Sequence, residues 1–111
     1  MSAAASEGLA AWFQQGLTPK GTTLLTFEEM VALAEFAAQA GTMVHTVEGY
    51  VLRDGIELCT PEYCLYGPED KTSTLPWADQ VDHALREVHA LAVESDRDGV
   101  LVKFQVWLAT A

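Results

Sequence analysis

The side chains able to do chemistry are few and scattered. Cys59 and Cys64 are the two thiols, with four residues between them, and His45, His83 and His89 are the three imidazoles. A thiol beside an imidazole is a nucleophile with its general base, so either cysteine paired with a histidine would suit a small thiol or acid–base enzyme. Nothing in the spacing says that they meet. The same residues do not spell a metal site. Two thiols fall short of the four ligands of structural zinc, and His83 and His89, six apart on one helical stretch, do not share a face as i, i+4 ligands would. The expectation is hydrogen-bonded or solvated histidines, and buried cysteines that are unpaired and hold no metal. No glycine-rich phosphate loop, GxSxG elbow or HExxH helix is present, and no cofactor is expected.

A second constellation is acidic and aromatic. Glu48, Asp54, Glu57, Glu62, Glu69 and Asp70 fall in or beside one hairpin and the loop after it, with Tyr63, Tyr66 and Trp77 among them. Aromatic anchors ringed by charge have the make-up of interface hot spots. A solvated acidic face with aromatics turned inward is the plainer account. Trp77 heads a helical stripe and is expected in the core, whereas Tyr63 and Tyr66 stand open between interface and core. On the interface reading, the partner-contacting set is Asp54, Glu57, Glu62, Tyr63, Tyr66, Glu69 and Asp70.

The overall charge bears on what such a surface would meet. Sixteen acidic residues face six Lys and Arg, a formal net charge of −10. Binding to nucleic acid or to an anionic membrane works through Lys and Arg, so neither is expected as a partner. A basic protein would be attracted, and its association accelerated. No apolar run approaches the ~20 residues that span a bilayer. The opening MSAAASEGLAAW lacks the basic and apolar segments of a secretory signal, so a cytoplasmic location is expected. With 111 residues, 50% of them hydrophobic, the chain suits a single domain with a substantial core.

Local signals define the elements that must position these groups. Residues 1–25 read as an N-terminal helix and loop. In Ser2 to Gln15, Leu9, Trp12 and Phe13 share one helical face, and Gly16 follows. Thr26-Phe27-Glu28-Glu29 is a capping box opening a helix from Thr26 to Ala40, with Gly41 placed for a left-handed cap. Val44 to Leu52 is rich in strand formers, Asp54-Gly55 offers a two-residue turn, and Ile56 to Cys59 returns as the partner strand. Gly49 inside that strand predicts a bulge or the close approach of another backbone. Pro61 to Thr74 reads as irregular loop. Leu75-Pro76 opens the next helix, with Thr74 as its cap. Its apolar stripe runs through Trp77, Val81, Leu85, Val88 and Ala92. Asp79 with His83 and Asp82 with Arg86 are spaced as i, i+4 pairs. The polar run Glu94 to Gly99 should end the helix. In the closing strand Val100, Val102, Phe104, Val106 and Leu108 share one face, opposite Lys103 and Gln105. The expected fold is α+β: a small, mainly antiparallel sheet of three or four strands packed against two longer helices. Its core should contain Leu33, Ala37, Val81, Leu85, Val88, Val102, Phe104 and Val106.

The pieces TFEEMVALAEFAAQAG, HTVEGYVLRDGIEL, the Tyr-Cys loop, LPWADQVDHALREVHAL and GVLVKFQVWLA, in that order, resemble the immunity protein 40 family of bacterial polymorphic toxin systems. The likeness covers roughly Thr26 to Leu108. It rests on the order of elements and on short pieces such as Glu48-Gly49-Tyr50 and Asp54-Gly55. The family's strand opens on glycines where this chain has His45-Thr46-Val47. The resemblance implies a non-catalytic α+β protein that binds and neutralises a cognate toxin domain, and it carries over no catalytic residue. Joined to the charge, it points to a basic, nuclease-like toxin. The residues leave two alternatives: a small cytoplasmic enzyme using Cys59 or Cys64 with a histidine, or a structural subunit that self-associates through a sheet edge.

Overall fold

The computed structural model describes residues 3–67 and 73–111. In chain order these form helix α1 (Ala3–Gly16), helix α2 (Phe27–Gln39), strand β1 (Met43–Arg53), strand β2 (Ile56–Cys59), a 3-10 turn (Pro61–Tyr63), helix α3 (Trp77–Asp98) and strand β3 (Val102–Ala109). The fold is small α+β, with one antiparallel sheet in the order β2-β1-β3. The N-terminal helix is no minor element, at 14 residues against 13 in α2. Its Leu9 is buried, and Trp12 and Phe13 pack against the core.

The helix starts follow local chemistry. At α2 the Thr26 hydroxyl accepts from the Glu29 amide at 3.1 Å and the Glu29 carboxylate accepts from the Thr26 amide at 2.8 Å. This reciprocal cap satisfies two otherwise orphaned donors. At α3 the outcome differs from expectation. The helix begins at Trp77, and Pro76, with ψ 148°, is the residue before it, so neither Leu75 nor Thr74 takes the expected place. The Pro76 carbonyl accepts from the Asp79 and Gln80 amides. Nor does the polar run end the helix early. Residues 94–98 continue it, because buried Ser95 satisfies its hydroxyl on the Ala92 carbonyl and Arg97 suits the negative end of the dipole. Gly99, at φ 67°, then turns the chain out.

Strand register sets the two faces of the sheet. Val47, Gly49 and Val51 of β1 lie opposite Val106, Phe104 and Val102 of β3, and all are buried under the helices. Glu48, Tyr50 and Thr46 pair with Gln105, Lys103 and Trp107 on the other face. On that face the covering comes from the loop after α1, where the carbonyls of Lys20 and Pro19 accept from Gln105 and Trp107. The core holds the expected Leu33, Ala37, Val88, Val102, Phe104 and Val106, and Val81 is also buried. Leu85 is half-buried at the edge of this core rather than inside it.

The two sheet edges differ. Along β3, Leu25 exchanges backbone hydrogen bonds of 2.7 Å with Phe104, and the Thr22 amide donates to Val106 at 3.0 Å. That edge is closed. Along β2 no described strand is paired on the outer side. No described helix is long and apolar enough to cross a membrane.

Candidate functional site

The hairpin tip follows from two residues. Asp54 has φ 54° and Gly55 φ 76°, the paired positive values of a type I′ turn, which matches the twist of its strands. Asp54 therefore sits at the tip. The register Leu52↔Glu57 and Tyr50↔Cys59 puts Glu57 and Cys59 on the outer face, and Val51↔Leu58 and Arg53↔Ile56 puts Leu58 and Ile56 on the helix side. Yet Leu58 is 51% exposed and Ile56 60%. The helices do not reach over β2. Leu101, 55% exposed, lies beside Leu52, whose amide donates to its carbonyl. The result is a protruding hairpin with apolar side chains on both faces and carboxylates at Asp54 and Glu57.

Beyond β2 the chain makes its 3-10 turn and returns to β1, where Leu65 and Val47 exchange hydrogen bonds of 2.8 Å. Between these points it crosses Gly49. A Cβ built on Gly49 would lie 2.5 Å from both the Cβ and the carbonyl oxygen of Tyr63. The glycine thus marks a close backbone approach, and the strand's irregularity lies instead between Val44 and Thr46. Tyr63 is buried, and its hydroxyl donates to Asp98 at the end of α3, at 2.7 Å. It is a core residue and offers no surface to a partner, which corrects its place in the expected contact set. Tyr66 is 64% exposed. Glu62, in the 3-10 turn, is exposed. Glu69 and Asp70 lie outside the described residues.

On the outer face Glu48, Tyr50, Cys59, Cys64 and Tyr66 form one cluster. The Tyr50 hydroxyl donates to Glu48 at 2.8 Å, and this bond first, with desolvation second, pushes the Tyr50 phenol up to about 12. The bond to Asp98 does the same for Tyr63, also to about 12. Tyr66 is raised chiefly by its hydrogen bond to the Cys64 side chain. Neither cysteine is the buried residue expected: Cys59 is exposed and Cys64 half-buried. Their sulfurs lie 3.8 Å apart, and Cys64 also donates to the Thr60 carbonyl at 3.2 Å. Desolvation, then the Cys64 thiol, pushes the Cys59 thiol up, so a smaller share of it is thiolate than in a free cysteine.

The raised phenols carry a stability consequence. Both tyrosines ionise near 10 when unfolded and near 12 when folded, so folding favours the neutral phenol. The contribution is complete below pH 10 and is lost as pH rises from 10 through 12. Urea unfolding followed across this window should show a steeper loss for the native chain than for a Tyr50→Phe/Tyr63→Phe double variant. Equal slopes would mean that neither hydrogen bond matters to the fold.

A cleft of about 500 Å³ opens beside this cluster, lined by Met43, His45, Cys64, Tyr66, His83 and Glu87 among others. Its lining includes one thiol and two imidazoles, but each imidazole faces another partner. His45 Nδ1 is 2.8 Å from the Thr46 hydroxyl, and His83 Nδ1 faces Glu87 at 3.6 Å rather than Asp79. His89 faces Glu35 across to α2, at 3.3 Å. Among the described residues no three His, Cys, Asp or Glu side chains converge as a metal set. Trp77 is only half-buried, its indole donating to the Gly41 carbonyl at 2.7 Å.

Of the expected contact set, Asp54, Glu57, Glu62 and Tyr66 are thus exposed along the hairpin and the segment after it. The surface also includes residues the composition of the loop did not single out: Leu52, Ile56, Leu58 and Leu101. Leu52 sits in the outward phase of β1, and Leu101, just before β3, continues the outward phase of Lys103 and Gln105, so apolar residues at wet positions were the available signal. No family model matches the chain, and no curated protein sequence is significantly similar to it.

Proposed function

We propose that this protein is an immunity protein, which binds a basic bacterial toxin domain, nuclease-like in its chemistry, through the β1–β2 hairpin and neutralises it. One observation carries the reading: the protruding hairpin leaves Ile56 and Leu58 of the open β2 edge exposed on one face and Leu52, with the neighbouring Leu101, exposed on the other, alongside the exposed carboxylates of Asp54, Glu57 and Glu62. Single exposed leucines are ordinary, but four exposed apolar side chains gathered at one hairpin whose outer strand is unpaired mark an association surface. The net charge of −10 selects the occupant. Two copies of this chain repel each other, whereas a domain basic enough to hold phosphates is drawn in. The apolar side chains then supply buried area and the carboxylates the steering and register.

The test is binding kinetics with the toxin domain encoded in the neighbouring reading frame. The triple variant Asp54→Asn/Glu57→Gln/Glu62→Gln should associate roughly tenfold more slowly at low salt. The difference should shrink as the Debye length falls below ~10 Å. Leu58→Ala and Tyr66→Ala should mainly speed dissociation. An association rate indifferent to both the triple variant and salt would remove the hairpin from the interface. A chain that dimerises through β2 and binds no basic domain would replace the reading with self-association.

A further inference from the structure

We propose that Cys59 and Cys64 form a reversible intramolecular disulfide site, so that the chain carries an oxidisable dithiol on its sheet edge. The inference does not depend on the inhibitor reading. Their sulfurs are 3.8 Å apart in the thiol state, and a disulfide needs about 2.0 Å. Closure therefore takes a small movement of the side chains. Backbone bonds bring the sulfurs together. Cys59 ends β2 opposite Tyr50, and the next residue, Thr60, donates to the Gly49 carbonyl at 2.9 Å. The Cys64 amide donates to the Pro61 carbonyl at 3.1 Å, and Leu65 is locked to Val47. Both ends of the six-residue segment 59–64 are thus tied to β1, and the turn between them returns one cysteine to the other. Exposure of Cys59 gives a dissolved oxidant access.

The oxidant is a low-molecular-weight disulfide of the glutathione class. The Cys59 sulfur, having lost its proton, attacks one sulfur of that molecule. The oxidant's sulfur–sulfur bond breaks, one thiol leaves with a proton, and a mixed disulfide remains on Cys59. The deprotonated Cys64 sulfur then attacks the Cys59 sulfur and expels the second thiol, which takes the second proton. Two protein thiols have lost two electrons, and one small disulfide has become two thiols. The Cys64 hydrogen is then gone, so its donation to the Thr60 carbonyl ends.

The experiment uses the reduced full chain in glutathione buffers of increasing oxidised share, with thiols trapped by acid and read by intact mass and peptide mapping. The native chain should lose about 2 Da and yield a Cys59–Cys64 linked peptide, with no stable glutathione adduct, and dithiothreitol should restore it. Cys64→Ser should instead accumulate one adduct of about 305 Da on Cys59. Cys64 is half-buried, and the decisive reading is on the native chain. Persistent adducts on the native chain, disulfide-linked dimers, or free thiols in the fully oxidised buffer would each overturn the proposal.

Discussion

Phe104→Ala will lower the unfolding free energy by about 3–5 kcal/mol, the range for removing a large aromatic from a core. Phe104 is fully buried, at 0% exposure. It sits mid-strand with Gly49 across from it, so the position directly opposite on β1 has no side chain to move into the space. Its backbone is clamped on both sides, to β1 by the ladder and to Leu25 by two hydrogen bonds of 2.7 Å. The strand cannot settle toward the helices to close the cavity, and poor relaxation raises the cost. Lys103→Ala, one residue away on the other face, should stay within about 0.5 kcal/mol. Urea denaturation of the two variants checks the contrast. A loss below about 1 kcal/mol for Phe104→Ala would mean that the sheet face packs elsewhere.

Gly49→Ala will be nearly as damaging despite adding a single methyl. The new Cβ would stand 2.5 Å from the Tyr63 Cβ and its carbonyl oxygen. Backbone, and not the flexible end of a side chain, must therefore shift. The cost should fall at the upper end of the ~1–3 kcal/mol typical of overpacking. The displacement also propagates. Tyr63 is held to Asp98, and Cys64 follows it directly, so the variant should also slow closure of the Cys59–Cys64 disulfide. Glu57→Ala, an exposed residue on the outer face of β2, serves as control for stability and should change it by about 0.5 kcal/mol or less. A Gly49→Ala chain as stable as the native one would show that the 3-10 turn can lift off β1 freely.

The elements of this protein were legible because their signals are local. The α2 capping box, the alternation of β3 and the Asp54-Gly55 turn each depend on residues within a few positions, and each appears where its chemistry puts it. Gly49 gave notice of a close approach, although the sequence could not say that Tyr63 would make it. The errors are also local signals, outvoted by longer contacts. The polar run before Gly99 reads as a turn but stays helical, because Ser95 is buried with its hydroxyl bonded within the helix.

The α+β class, the hairpin, the inward face of β3 and the strongly acidic balance follow from residue order and composition alone. Only the tertiary structure separated Tyr63 from Tyr66. The two are three residues apart and alike in type, but one meets Gly49 and an acceptor 35 residues away at Asp98, and the other meets solvent. It alone showed that the helices stop short of β2 and leave Ile56 and Leu58 uncovered, and that two surface sulfurs stand 3.8 Å apart. The physical reason is range. Periodicity and turn chemistry act over a few residues and set which way a strand or helix faces, whereas burial of a loop side chain and the meeting of two thiols depend on where distant backbone lies.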